Sequence, residues 1–237
     1  MNEIPATEPP TLNMGNNGRA GTPDASHQAT GRSAEKPRRA ATPTARFLLV
    51  RPGCTDYDQQ RRIKGRLDIP LNEDGARQVA QTSNDTADVE ICSVYSAPCL
   101  ASVQTAESIA AVAGKKVKST VELHNLDHGL WEGKLIEQVK SQQPKVYRRW
   151  QIQPETVCPP EGEMLEDARR RLIGMVEKAL KKHKSGVIAF VLPEPIATVF
   201  SCQIQGTDLG DLWQIKENSG KWELIDYHAD LVEDENT

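Results

Sequence analysis

Two arginines, a short histidine–aspartate cluster and one cysteine are the side chains whose placement could support chemistry. Arg51 ends an apolar run and Arg62 follows it at the head of Ile63-Lys64-Gly65. A guanidinium offers a fork of donors matched to phosphate or carboxylate, so both read as anion-binding candidates. The competing reading ties them up in structural ion pairs, with Asp58 or Glu194 as the partners. His124, Asp127 and His128 lie close together, a spacing that raises a metal site or a nucleophile. No cysteine or third histidine joins them and the segment reads as loop, so they are taken as surface or supporting residues, with no metal. Cys54 needs a base or a positive field to become a thiolate nucleophile, and Arg51 is the nearby candidate. Otherwise it is an inert, buried thiol.

The rest of the chain sets limits on these possibilities. It has 237 residues, 38% of them hydrophobic and 26% charged, with a net charge of -4. That suits a soluble protein with a modest core and supplies no basic field for nucleic acid. No stretch approaches the roughly 18 apolar residues of a membrane helix. The opening MNEIPATEPP has no apolar core and does not read as a secretory signal. Five scattered cysteines without a CxxC pair point to free thiols in a reducing cytoplasm. No cofactor is implied.

The elements that must position the candidates follow from periodicity. Residues 1–45 are rich in Pro, Thr, Ala, Gly and Asn and lack apolar spacing, which predicts a disordered arm. Lys36-Pro37-Arg38-Arg39 within it reads as solvated linker charge, with docking as the sharper alternative. Order is expected from Arg46 to about residue 227, with an acidic tail over 228–237. Strands are predicted at 46–50, 91–96, 116–121 and 187–192, the first and the last of them buried. Between them, Leu100, Val103, Ala106, Ala110 and Ala113 mark a helix stopped by Gly114. Leu165, Ala168, Leu172, Val176 and Ala179 mark the clearest helix, with lysines in its last turn. A helix after Pro195 and an edge hairpin of 212–215 with 222–225 complete the pattern. Trp131, Trp150, Trp213 and Trp222 are expected to fill the core or its edge, and residues 146–150 to form part of a lid. Strands alternating with helices predict a three-layer α/β/α sandwich with a mostly parallel central sheet.

Five segments, in order, resemble the histidine phosphatase superfamily, whose fold is phosphoglycerate-mutase-like. Leu48-Leu49-Val50-Arg51-Pro52-Gly53-Cys54-Thr55 is similar to L-V-R-H-G-E-T. Arg62-Ile63-Lys64-Gly65-Arg66-Leu67-Asp68-Ile69-Pro70-Leu71-Asn72, with Gly75 and Gln78, is similar to R-x-Q-G-x-x-D-x-P-L-T-x-x-G-x-x-Q. Tyr95-Ser96-Ala97-Pro98 with Gln104-Thr105-Ala106, then Gly129-Leu130-Trp131-Glu132-Gly133, then Pro160-Glu161-Gly162-Glu163 complete the series.

The resemblance implies phosphoryl transfer to a histidine, with charge balanced by arginines and a second histidine, and a carboxyl group protonating the leaving oxygen. Carried over position by position, that machinery is missing. The nucleophile falls at Pro52, the second histidine at Pro193, the second arginine at Ala101 and the acid at Asn125. Asp58 stands for a phosphate-holding Asn, and Glu194 for a small Gly. Arg51 and Arg62 remain as vestigial anion-binding residues. The expectation is a non-catalytic binding or regulatory protein, with a protein or a phosphorylated small molecule as partner. The alternatives are a phosphomonoesterase or mutase using relocated groups such as His124 or Cys54, and a scaffold that works through its N-terminal arm.

Overall fold

A computed structural model describes residues 45–212 and 218–228. The predicted arm at 1–45 and the acidic tail therefore fall almost entirely outside the described residues, as does Trp213.

The sheet has five strands in the order β3-β2-β4-β1-β5. They are β1 (Ala45–Val50), β2 (Ile91–Ser96), β3 (Val117–Ser119), β4 (Val187–Val191) and β5 (Trp222–Tyr227). β1, β2, β3 and β4 run parallel, and β5 joins the β1 edge antiparallel. Alternate residues of β1 serve opposite layers, as a strand buried on both faces requires. Phe47 and Leu49 pack into one core cluster, Leu48 and Val50 into another.

Among the described residues, seven helices flank this sheet. α1 (Asp56–Gln59) and α2 (Glu73–Asp85) follow β1, and α3 (Leu100–Ala113) follows β2. α4 (Ile136–Gln142), α5 (Pro144–Ile152) and α6 (Leu165–Lys182) lie between β3 and β4, and α7 (Ile196–Gln205) follows β4. Ala106, Ile109 and Ala110 of α3 pack on the Leu48 side. Leu165, Ala168, Leu172, Val176 and Ala179 of α6, with Ile196 and Phe200 of α7, pack on the Phe47 side. The result is the expected three-layer sandwich.

Three sequence expectations need correction. In α3 the buried face is Ala101, Ser102, Thr105, Ala106, Ile109 and Ala110, while Leu100 is 41% exposed. Small residues let this helix lie close to the sheet, so the larger apolar side chains misjudged its phase. The third strand shrinks to three residues, because a 3-10 turn at Val121–Leu123 takes over. The predicted hairpin's second arm is β5, but its partner in the sheet is β1; residues 213–215 lie outside the described set.

Val50 pairs with Val191, so β1 and β4 end side by side and release Arg51 and Leu192 from the same end of the sheet. This is the edge at which parallel α/β sheets place their sites. Gly53 and Gly75 cross there with backbones in contact. A Cβ on Gly53 would lie 2.9 Å from the Gly75 Cα, and one on Gly75 would collide with the Cys54 carbonyl.

Candidate functional site

A cavity of about 360 Å³ opens at this end of the sheet. Among the described residues its charged lining is balanced: Arg51, Arg62 and Lys64 against Asp58, Glu194 and Asp211. Pro52, Pro195, Ile63, Ile136 and Leu209 supply apolar wall. Such a volume is in the range of small-molecule sites.

Arg51 sits deepest in its charge contacts, with its side chain only 12% exposed. Its Nε donates to Glu194 Oε1 at 2.8 Å, and its Nη1 approaches Glu223 Oε1 at 2.9 Å. Burial opposes the guanidinium charge, but Glu194 and then Glu223 outweigh it and raise the pKa above its ordinary value. Glu223 reaches Arg51 because β5 pairs antiparallel with β1, setting Glu223 opposite Leu49 and diagonal to Arg51. Ser201 of α7 also donates to Glu223 Oε1, at 3.3 Å.

Glu194 is tied on both oxygens. Oε2 accepts the Thr198 N–H at 3.1 Å and the Thr198 hydroxyl at 2.7 Å, within the first turn of α7. Oε1 accepts Asn218 Nδ2 at 3.3 Å besides Arg51. A carboxylate at a helix N-terminus is favourable electrostatically as well as through these bonds.

Asp58 does not face Arg51 as an ion-pair partner. Its Oδ1 meets Lys64 Nζ at 2.6 Å, and its Oδ2 accepts the Thr55 N–H and hydroxyl at 2.9 and 2.7 Å. Thr55 returns the bond to the Asp58 N–H, closing a capping box on α1. Arg62 is held by neutral groups: Nε donates to Gln60 Oε1 at 2.7 Å, Nη1 to the Gly133 carbonyl at 2.7 Å.

Several expected site residues lie elsewhere. Ala101, Asn125 and Pro193 are buried and do not line the cavity. Asn125 is a tie between loops: its Nδ2 donates to the carbonyls of Gly65 and Glu194, each at 3.0 Å, and its Oδ1 accepts the Ile196 N–H at 3.4 Å. Cys54, expected at the mouth, does not line the cavity. Its thiol contacts the Thr55 carbonyl and Asn72, and burial followed by Asp58 pushes its pKa up, away from thiolate. His124 also misses the cavity; its Nδ1 meets the Asn125 carbonyl at 2.6 Å.

His128, not His124, is the lining histidine, which corrects the surface reading for that residue. It is 4% exposed, its Nδ1 lies 3.1 Å from the Leu126 carbonyl, and its ring packs against Trp150. Burial lowers its pKa to about 4, so it is neutral near pH 7. No cluster of three or more His, Cys, Asp or Glu side chains among the described residues could hold a metal ion.

The motifs that survive act as staples around the cavity. Glu132 Oε1 accepts the Arg66 N–H at 2.7 Å and presses on Gly65, where φ is +51° and any Cβ would strike it. Glu163 accepts the Asp127 N–H at 3.0 Å, and its own N–H returns a bond to the Asp127 carbonyl. Arg171 of α6 then pairs with Glu163 and donates to the carbonyls of Glu122, His124 and Asn125. Lys64, Thr198, Asn218, Glu223 and Arg171 were not singled out from the sequence. An antiparallel pairing of 222–225 with the first strand would have pointed to Glu223; the others carry no comparable signal.

A layered sheet with a cavity beyond adjacent parallel strand ends, framed by these motifs, defines a phosphoglycerate-mutase-like class of protein. The family model of the histidine phosphatase superfamily (branch 1) matches residues 47–233, and the chain belongs to that superfamily. Phosphoserine phosphatase 1 of Hydrogenobacter thermophilus is 27% identical over 180 residues, covering 76% of this chain and 85% of that protein. A bifunctional protein of Mycobacterium tuberculosis is 36% identical over 132 residues, 55% of this chain and 36% of its own length. Among solved structures, a mycobacterial glucosyl-3-phosphoglycerate phosphatase determined with VO3 matches with a TM-score of 0.72 at 19% identity, over 79% of this chain and 94% of that one. Bacillus stearothermophilus YhfR matches with a TM-score of 0.71 at 21% identity, over 78% and 92%. At these identities the solved structures speak for the fold.

Proposed function

We propose that this chain is a non-catalytic member of the histidine phosphatase superfamily, a binding or regulatory protein whose cavity receives a small molecule or a partner's side chain. The observation that carries the reading is the state of Arg51. Its guanidinium is held by the two carboxylates Glu194 and Glu223, in the place where the resemblance puts a phosphoryl group between histidines. Phosphoryl transfer needs a nucleophile and a surplus of positive charge at the transferring group. Pro52 offers no nucleophile, and among the described residues the lining carries as many carboxylates as cations.

The names of the relatives favour the opposite reading, an active phosphomonoesterase or mutase, which requires relocated groups. Against it, His124 and Cys54 do not line the cavity, and His128, which does, is only 4% exposed, with its Nδ1 3.1 Å from the Leu126 carbonyl. Arg62, which has no carboxylate within ion-pair distance among the described residues, is the residue best placed to anchor an acidic ligand.

Steady-state hydrolysis of an aryl phosphate tests this reading. The wild-type chain is expected to match buffer alone. Turnover that disappears in His124→Ala or Cys54→Ala would replace the reading with the relocated-enzyme alternative.

A further inference from the structure

We propose that Glu194 is a built-in ligand of an oxyanion site. Its carboxylate occupies the place that a tetrahedral oxyanion such as phosphate would take between Arg51, the first turn of α7 and Asn218. The inference rests on the non-catalytic reading and names what closes that site.

The geometry is that of an anion already bound. One oxygen accepts from the Arg51 guanidinium at 2.8 Å and from Asn218 Nδ2 at 3.3 Å. The other accepts a backbone N–H and a hydroxyl from Thr198 at 3.1 and 2.7 Å. A guanidinium, a side-chain amide, a hydroxyl and a helix-terminal N–H together make the donor set expected of a phosphate subsite. α7 is ten residues long, so its N-terminal dipole is developed. The carboxylate is supplied by the chain itself, next to Pro195 at the start of α7, and so is present at very high effective concentration. A phosphate arriving from solution would have to displace it, and would meet its negative charge as well as that of Glu223, 2.9 Å from Arg51.

Removing the carboxylate while keeping its donors should therefore create affinity for a free oxyanion. Inorganic phosphate is titrated calorimetrically into the wild-type chain, Glu194→Ala, and the double variant Glu194→Ala with Arg51→Ala. Glu194→Ala is expected to bind phosphate at least about tenfold more tightly than wild type, the value of one charge-assisted hydrogen bond. The double variant should lose that gain. Glu194→Gln keeps the bulk and removes the charge, and an intermediate gain is expected; it carries the test if the alanine variant does not fold.

Equal phosphate affinity in wild type and the folded Glu194 variants would overturn the inference. A gain that survives Arg51→Ala would overturn it too, since the anion would then sit elsewhere. Aryl-phosphate turnover by the wild type, in contrast, overturns the non-catalytic reading whatever the calorimetry shows.

Discussion

Asn125 ties two loops together through its side-chain amide. The resemblance places a proton donor there, but the amide spends both N–H groups on the carbonyls of Gly65 and Glu194. A carboxylate can make neither donation, so Asn125→Asp is predicted to cost about 3 kcal/mol or more in urea unfolding, because two buried carbonyls lose a donor. It should bring no phosphatase activity. His128 makes the complementary case for pH. Its folded-state pKa of about 4 lies below the ordinary histidine value, so between the two the unfolded chain binds the extra proton. Stability from this residue is complete above about pH 6.5 and is lost as pH falls toward 4. Between pH 7 and pH 5 the loss should be about 2 kcal/mol, and His128→Gln should remove that share of the slope. Urea titrations of both proteins at the two pH values measure it; equal slopes would refute the assignment. From sequence, Glu194 was legible as an ion-pair partner for one of the two arginines, and the structure assigns it to Arg51. Asp58 was misjudged as a second pairing partner of the arginines, since a capping box around a four-residue helix leaves only a short Thr-x-x-Asp trace.

At the scale of elements, the helix α6 was plain because its apolar side chains repeat on one stripe, and all five predicted positions are buried. The phase of α3 was not, because alanine, serine and threonine bury themselves by closeness to the sheet rather than by hydrophobic contrast. What α6 does for the cavity was hidden altogether. Arg171 is an ordinary charged residue in sequence, yet it pairs with Glu163 and gathers the carbonyls of Glu122, His124 and Asn125. Both partners are mostly buried, at 15% and 17% exposure. Arg171→Ala leaves Glu163 buried without its cation and three carbonyls short of donors. It is predicted to destabilise by about 3 kcal/mol or more, read as a lower thermal or urea midpoint. If the midpoint is unchanged, Arg171 does not hold the 122–128 loop in place.

Over the whole molecule, two sets of residues answer to different demands. Gly53, Gly75, Gly65 with Glu132, and Glu163 with Arg171 keep the strand ends, loops and cavity walls in register. Their demands are steric and hydrogen-bonding, and hold whether or not chemistry occurs. That is why the fold could be read from motif order alone. The residues facing the cavity answer to charge instead, and there the described chain sets Asp58, Glu194 and Asp211 against Arg51, Arg62 and Lys64. Which of them meet could not be read from the sequence. Glu223 lies 172 positions from Arg51 and arrives only through the antiparallel edge strand. The central claim, that no phosphoryl acceptor operates at this end of the sheet, is tested most directly by a single-turnover measurement. With the protein in excess over an aryl phosphate, release of the aryl alcohol is predicted to follow the buffer rate at every protein concentration. A burst of alcohol, or a rate that rises and saturates with protein, would contradict it.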